Sequence, residues 1–313
     1  MAARLLYDCS LITGASGGLG EEFSDQLAPH CRRMVLVARR EEVLRQLEVR
    51  LRTDHPGLEV VSFPVDLACP AERRKLIDQV TGTEWAPNLL VNNAGMGDYG
   101  EFTTAHWEKV QHMLDLNMAA ATHLTHGFLP DMLRSGQGAV LNVSSLASLL
   151  PIPDFAVYAA SKAYLTSFSE ALRLELREHE IPVLAVCPGP VHTNFGEVAG
   201  RQGAPLESSS REWFFVSRDE VVLDALVALQ LDRARSYPGL KVALLAAGLS
   251  ILPMAAIRYL MSFRPRSVSE TIRKFTLPCQ VTAKNPRASV PPGEFRPLVL
   301  GWHSCPSSAW SPC

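Results

Sequence analysis

Short apolar runs alternate along this chain with stretches whose apolar positions recur every three or four residues. The runs are 9–13 (CSLIT), 34–38 (MVLVA), 59–65 (EVVSFPV), 88–92 (NLLVN), 139–143 (AVLNV) and 183–187 (VLAVC). None alternates cleanly between polar and apolar, which is the pattern of a strand buried on both faces. Between them lie helical patterns: from the Gly-rich turn to about Pro29, 41–54 with Val43, Leu44, Leu47 and Leu51 on one face, a segment after Pro70, 104–128, 157–178 and 219–231. Buried strands separated by amphipathic helices predict an α/β fold, a single doubly wound Rossmann domain with a parallel sheet.

Two regions depart from that rhythm. Residues 242–257 hold no charge and are bracketed by Lys241 and Arg258. A helix of that length spans about 24 Å, short of a hydrocarbon core of ~30 Å, and Pro253 interrupts it. The segment reads first as a buried or capping pair of helices. A second reading is a surface-bound helix, giving peripheral membrane contact through 242–266 with Arg258, Arg264 and Arg266 at its flank. A true span ranks last. Residues 267–313 are rich in Pro and Ser with little periodicity and read as a disordered tail. The expected division is therefore a catalytic domain over 1–239, an apolar helical extension over 240–266, and the tail.

Composition narrows the function classes. Hydrophobic residues make up 47% and charged residues 20%, with 30 basic and 32 acidic residues and a net charge of −2. Nucleic acid is not an expected partner, since that calls for a basic surplus. The seven cysteines form no CxxC pair and no zinc spacing, so reduced thiols and no metal site are expected. His123 and His126 lie three apart with no third ligand in sequence. Met1 to Asp8 leads into no apolar stretch with a cleavage site. A cytoplasmic location, with membrane association as the second reading, is the expectation.

The first chemical signal is Thr13-Gly14-Ala15-Ser16-Gly17-Gly18-Leu19-Gly20, set between a strand and a helix. Glycines let backbone approach a pyrophosphate, and a helix N-terminus offers free N–H groups and positive potential. The second signal is at the end of the second strand, Val37-Ala38-Arg39-Arg40, where no acid precedes Glu41. An acid there would hold a ribose 2′-hydroxyl; Arg39 and Arg40 suit a 2′-phosphate instead. NADP(H) is therefore favoured over NAD. The bland alternative is two solvated arginines opening a helix.

Further on come Asn92-Asn93-Ala94-Gly95, Asn117, Ser144-Ser145, Tyr158-Ala159-Ala160-Ser161-Lys162 and Pro188-Gly189-Pro190-Val191-His192-Thr193. With TGASGGLG, this set resembles the short-chain dehydrogenase/reductase family, in its order and spacing from residue 5 to about 235. The glycine spacing resembles the shorter oxidoreductase branch, and the VARR and NNAGMG runs look like a carbonyl-reductase subgroup with lipid-like or xenobiotic substrates. The resemblance implies reduction of a ketone or aldehyde, or oxidation of the alcohol, by hydride transfer. Tyr158 would be the general acid/base. Lys162, one turn on, would lower its pKa and hold the nicotinamide ribose. Ser145, chosen over its rival Ser144 by family spacing, would hold the substrate oxygen, and Asn117 would anchor a relay water. Cofactor contacts implied are Gly14, Ser16, Gly17, Gly18, Leu19 and Gly20 at the pyrophosphate, Asp66 and Leu67 at the adenine, Asn93, Ala94 and Gly95 beside the ribose, and Pro188, Gly189, Val191 and Thr193 at the nicotinamide.

A segment over about 194–216, with Phe195, Trp213, Phe214 and Phe215, suits a lid over an apolar substrate. The family commonly pairs subunits through the helices carrying Asn117 and Tyr158, implying a homo-oligomer. A rival reading from another class is a catalytically idle dinucleotide-binding protein serving as redox sensor or scaffold. The complete Asn117–Ser145–Tyr158–Lys162 set argues against it.

Overall fold

A computed structural model describes residues 6–193, 195–200 and 215–263. Seven parallel strands form one sheet: β1 (Tyr7–Thr13), β2 (Cys31–Ala38), β3 (Glu59–Pro64), β4 (Leu89–Asn92), β5 (Ala139–Val143), β6 (Val183–Val186) and β7 (Arg235–Ser236). Their order is β3-β2-β1-β4-β5-β6-β7. The chain thus starts in the middle, builds one half outward, returns and builds the other. Neighbours β1 and β4 mark the reversal, where the loops beyond their C-terminal ends diverge and leave a crevice.

The strands lack alternation because both faces are covered. Successive side chains on a strand point to opposite faces. Ile12, Leu36, Leu89, Leu141 and Leu184 enter one apolar cluster with Phe23, Leu44 and Leu51. Their sequence neighbours Leu11, Val35, Leu90, Val140 and Val183 enter the other with Leu76, Leu124 and Phe128. The first face is covered by α1 (Gly18–Leu27), α2 (Glu41–Asp54) and α8 (Arg218–Gln230). The second is covered by α3 (Pro70–Val80), α5 (Ala121–Ser135) and α6 (Ala156–Glu175). The expected doubly wound fold is present.

Three features were not legible in the periodicity. The helix expected over 104–128 runs as α4 (Trp107–Leu114), a π-helical turn over Asp115–Ala120, and α5. Strand β7 has two residues, too short for any pattern to announce, and is tied to α6 by the Arg235–Glu170 ion pair. Short helix α7 (Phe195–Ala199) follows β6.

The apolar extension forms two helices, α9 (Leu240–Ile251) and α10 (Met254–Ser262), bent by 116° at the break before Pro253. The reading of this segment as buried is corrected. Only Val242, Ala246 and Ile257 are buried; Leu249 and Met261 are half-buried, and the other large side chains face solvent. The reason is geometric: the pair touches the domain along one narrow stripe, so most of its circumference has nothing to pack on. Among the described residues no single helix is long and apolar enough to cross a membrane. The tail over 267–313 and most of the lid, with Trp213 and Phe214, lie outside the described residues.

Gly20 offers a test of how closely the first turn is packed. A Cβ on it would lie 2.2 Å from the Gly14 carbonyl oxygen, whereas one on Gly57 meets nothing. Gly20→Ala is expected to cost about 1–3 kcal/mol by forcing backbone apart. Gly57→Ala should fall within about 0.5 kcal/mol of wild type. Denaturant melts of the two variants check the contrast.

Candidate active site

The crevice is built on a hydroxyl. Thr13, the last residue of β1, accepts the Asn93 and Ala94 N–H groups at 2.9 and 3.0 Å and donates to the Val91 carbonyl at 3.2 Å. The Asn93 amide donates to the Thr13 carbonyl at 2.9 Å. The glycine turn and the Asn93–Gly95 turn are thereby clasped together at the reversal. Gly14 is left-handed at φ +67°, and a Cβ there would reach 2.8 Å from the Asn93 amide nitrogen. Residues 18 onward then open α1, with its N–H groups toward the crevice.

The rim brings together several predicted residues. Arg40 arches back over the turn, donating to the Ser16 carbonyl at 2.6 Å and contacting the Ser16 hydroxyl. Arg39 is exposed at the end of β2. On the opposite side, a Cβ on Gly18 would lie 3.3 Å from the Thr193 methyl, so the turn and the segment after β6 meet. That segment is held by a Leu146 N–H to Pro188 carbonyl bond of 2.9 Å and by a bridge from Val191 to Val216. Asp66 folds on itself, its carboxylate accepting the Ala68 N–H at 3.0 Å. Leu67 is buried in the second-face core.

Helix α6 carries Tyr158 and Lys162 on its buried face. It is locked by polar contacts: Ser144 donates to the Lys162 carbonyl at 2.9 Å and meets Thr166 at 2.7 Å. Ser144 thus belongs to the helix–sheet seam. Ser145 faces the other way. Its hydroxyl accepts the Ala147 N–H at 3.1 Å and lies on the Tyr158 side, where it opposes the rise of the phenol's pKa.

Lys162 donates to the Val143 carbonyl at 2.8 Å, with its ammonium 5.8 Å from the Tyr158 ring centre. A Cβ on Gly95 would sit 3.2 Å from that ammonium and 3.3 Å from Asn117 Oδ1. Asn117 lies in the π turn. Its amide donates to the Met96 carbonyl and the Ser161 hydroxyl, and its oxygen accepts the Met96 N–H. Both amide protons are committed, so the Asn117 side chain clamps backbone. A widened π turn at a functional position has precedent as a local distortion.

Burial corrects the expected effect of Lys162 on Tyr158. The phenol is pushed up to about 12, because the phenolate would lose its water; the bond from Ser145 opposes this only in part. The same burial lowers Lys162 to about 8. Desolvation is the largest cause in both groups. The side chains also form an apolar wall that spacing did not reveal. Phe155 stacks on Tyr158 at 4.2 Å, Phe195 lies 5.3 Å away, and Tyr99 meets Phe155 edge-on at 5.8 Å. Phe195 was expected in the lid segment, whereas Phe155 and Tyr99 carried no signal in the sequence. Among the described residues no three His, Cys, Asp or Glu side chains converge as a metal site would require.

Known proteins match this arrangement. A profile of the family described as short chain dehydrogenase matches residues 8–202. The ketoacyl reductase HetN of Nostoc sp. is 32% identical over 195 residues, covering 62% of this chain and 67% of its own. The very-long-chain 3-oxoacyl-CoA reductase of Homo sapiens is 28% identical over 221 residues, 69% of each. A short-chain dehydrogenase from Sphingobium yanoikuyae, solved in complex with NADPH, superposes with a TM-score of 0.68 at 30% identity, over 84% of this chain and 98% of that one. The L-sorbose reductase from Gluconobacter frateurii, complexed with NADPH and L-sorbose, gives 0.66 at 25% identity, over 76% and 96%.

The buried ammonium predicts a pH signature. Folding binds fewer protons to Lys162 than the unfolded chain does between about 8 and its usual 10.5. Wild-type stability therefore gains a contribution as pH rises through that window. Lys162→Met removes it. The stability of Lys162→Met relative to wild type should be highest below pH 8 and fall steadily toward pH 10, as urea melts across that range would read. A flat difference would refute a depressed Lys162.

Proposed function

The chain belongs to the short-chain dehydrogenase family of oxidoreductases, and from that premise we propose an NADP(H)-dependent enzyme that reduces a ketone or aldehyde, or oxidises the corresponding alcohol. The observation that carries this reading is the buried placement of Tyr158 and Lys162 one turn apart, with the Lys162 ammonium 5.8 Å from the Tyr158 ring centre and close beside Gly95.

The residues fit a dinucleotide. The Gly14 and Gly20 positions leave no room for a Cβ, which suits a backbone surface for phosphate. Arg40, already over the turn, brings a planar cation to where a 2′-phosphate would lie. Gly14 to Gly20 would hold the pyrophosphate, Asp66 and Leu67 would border the adenine, Asn93 to Gly95 would line the ribose side, and Pro188, Gly189, Val191 and Thr193 would border the nicotinamide. When bound, the nicotinamide supplies or accepts the hydride.

The chain's own part is proton handling and orientation. Ser145 holds the substrate oxygen against Tyr158. The Tyr158 phenol, protonated throughout the neutral range, delivers its proton to that oxygen as the carbonyl carbon is reduced. The charge left on the phenolate is then met by the Lys162 ammonium, which burial makes a readier proton donor, and a proton taken up from solvent restores the pair. Asn117 holds the Met96 backbone and Ser161 in place around this pair. The ring wall of Phe155, Phe195 and Tyr99 excludes water and favours an apolar or lipid-like carbonyl compound.

Two outcomes test this. Tyr158→Phe should lower NADPH oxidation with apolar ketones by about a thousandfold or more, the scale of a lost general acid combined with lost orientation, while NADPH binding by fluorescence stays within about twofold. Retained turnover in the phenylalanine variant would refute the acid. Arg40→Ala should raise KM for NADPH about 10- to 100-fold, the worth of a charge-assisted hydrogen bond, and leave NADH nearly unchanged. An equal effect on both cofactors would return Arg40 to a merely structural role.

A further inference from the structure

Nine of the nineteen exposed large hydrophobic side chains among the described residues fall within residues 240–263: Leu240, Leu244, Leu245, Ile251, Leu252, Met254, Tyr259, Leu260 and Phe263. A soluble surface rarely gathers apolar side chains so densely unless they meet something. The two helices present them together. Val242 and Ala246, one turn apart on α9, and Ile257 on α10 face inward, leaving the leucines, Ile251 and the aromatics outward.

The charges around this surface say what it meets. From Arg233 to Ser269 the sequence carries Arg233, Arg235, Lys241, Arg258, Arg264 and Arg266, and not one acidic residue. Arg235 is engaged with Glu170; Lys241 and Arg258 are exposed on the helices themselves. A protein partner is met with a mixed polar rim around an apolar centre. An apolar pair of helices whose own charges are all cationic, with Asp224 at the start of α9 the acid seen against it, complements an anionic lipid surface. Neither helix is long enough by itself to cross a bilayer. Helices of 12 and 9 residues rise about 18 and 14 Å against a ~30 Å hydrocarbon core, and they are bent by 116° where they join.

We propose that α9 and α10 form a platform that docks this chain onto the surface of an anionic bilayer, lying in the interface and not crossing it. The platform is joined to the site. Val242 packs with Val216, Val221 and Leu146, and Leu146 is the residue directly after Ser145. A bilayer on this face adjoins the segment that holds the substrate oxygen. Resting on the reductase reading, the inference narrows the substrate to a carbonyl compound that partitions into the bilayer.

The test is sedimentation of the full chain with vesicles of phosphatidylcholine alone and of equal parts phosphatidylcholine and phosphatidylglycerol. Wild type should bind the mixed vesicles several-fold more tightly than the neutral ones, with the excess removed by high salt. The double variant Ile251→Glu/Leu260→Glu, both positions exposed and remote from the machinery, should bind mixed vesicles about tenfold more weakly or worse. Its thermal midpoint and NADPH affinity should match wild type. Failure of wild type to bind either vesicle overturns the proposal. In that case, a wild-type dimer that the same double variant dissociates in analytical ultracentrifugation identifies a second copy as the occupant. Equal binding by variant and wild type overturns it as well. No arm reads turnover, so an inactive protein that docks, or an active one that does not, separates this inference from the assigned reaction.

Discussion

The Thr13 hydroxyl is the point on which the site depends. Parallel strands β1 and β4 lie side by side, but the connections beyond them run to opposite faces of the sheet. The two turns at their ends would otherwise separate and expose backbone polar groups. Thr13 accepts from two N–H groups of the Asn93–Ala94 turn while donating to the Val91 carbonyl, so one small side chain satisfies three backbone groups at the seam. With the turns held together, Gly14 and Gly20 must be glycine, because the backbone atoms of neighbouring turns already fill the space a side chain would take.

From that seam a polar ladder runs across an otherwise apolar interior. Asn92 donates to Asn142 at 2.8 Å, and Asn142 to Ser169 on α6 at 2.9 Å. Ser144 adds its bond to the Lys162 carbonyl. Buried polar groups are costly when unpaired, so α6 cannot rotate or slide without orphaning several at once. That restriction gives Tyr158 and Lys162 one position relative to the sheet ends. A wholly apolar seam would bury as much surface yet tolerate small rotations.

The same burial that gives precision also changes the chemistry. Enclosed by Phe155 and Phe195, Tyr158 holds its proton more tightly than a free phenol, and Lys162 gives its proton up more readily than a free amine. The two shifts have one cause and opposite sign, because one group is anionic and the other cationic when ionised. They leave a protonated acid beside a cation poised near neutrality.

What the sequence determined by itself was whatever depends on neighbours along the chain. Apolar runs marked six of the seven strands, period marked the helices, and the glycines, the Tyr158–Lys162 spacing and the Ser144–Ser145 pair were readable as chemistry within a family's order. Tertiary structure decided what depends on neighbours in space. It sent Ser144 to the helix seam and Ser145 to the phenol, brought Arg40 and not Arg39 over the glycine turn, and assembled Phe155, Phe195 and Tyr99 into a wall from three distant segments. It also reversed the expected pKa shift of Tyr158 and left residues 240–263 largely uncovered. The division has a physical reason. Backbone periodicity and turn chemistry are local and act over a few residues, whereas desolvation and burial are sums over every atom nearby, and no spacing in the chain records them.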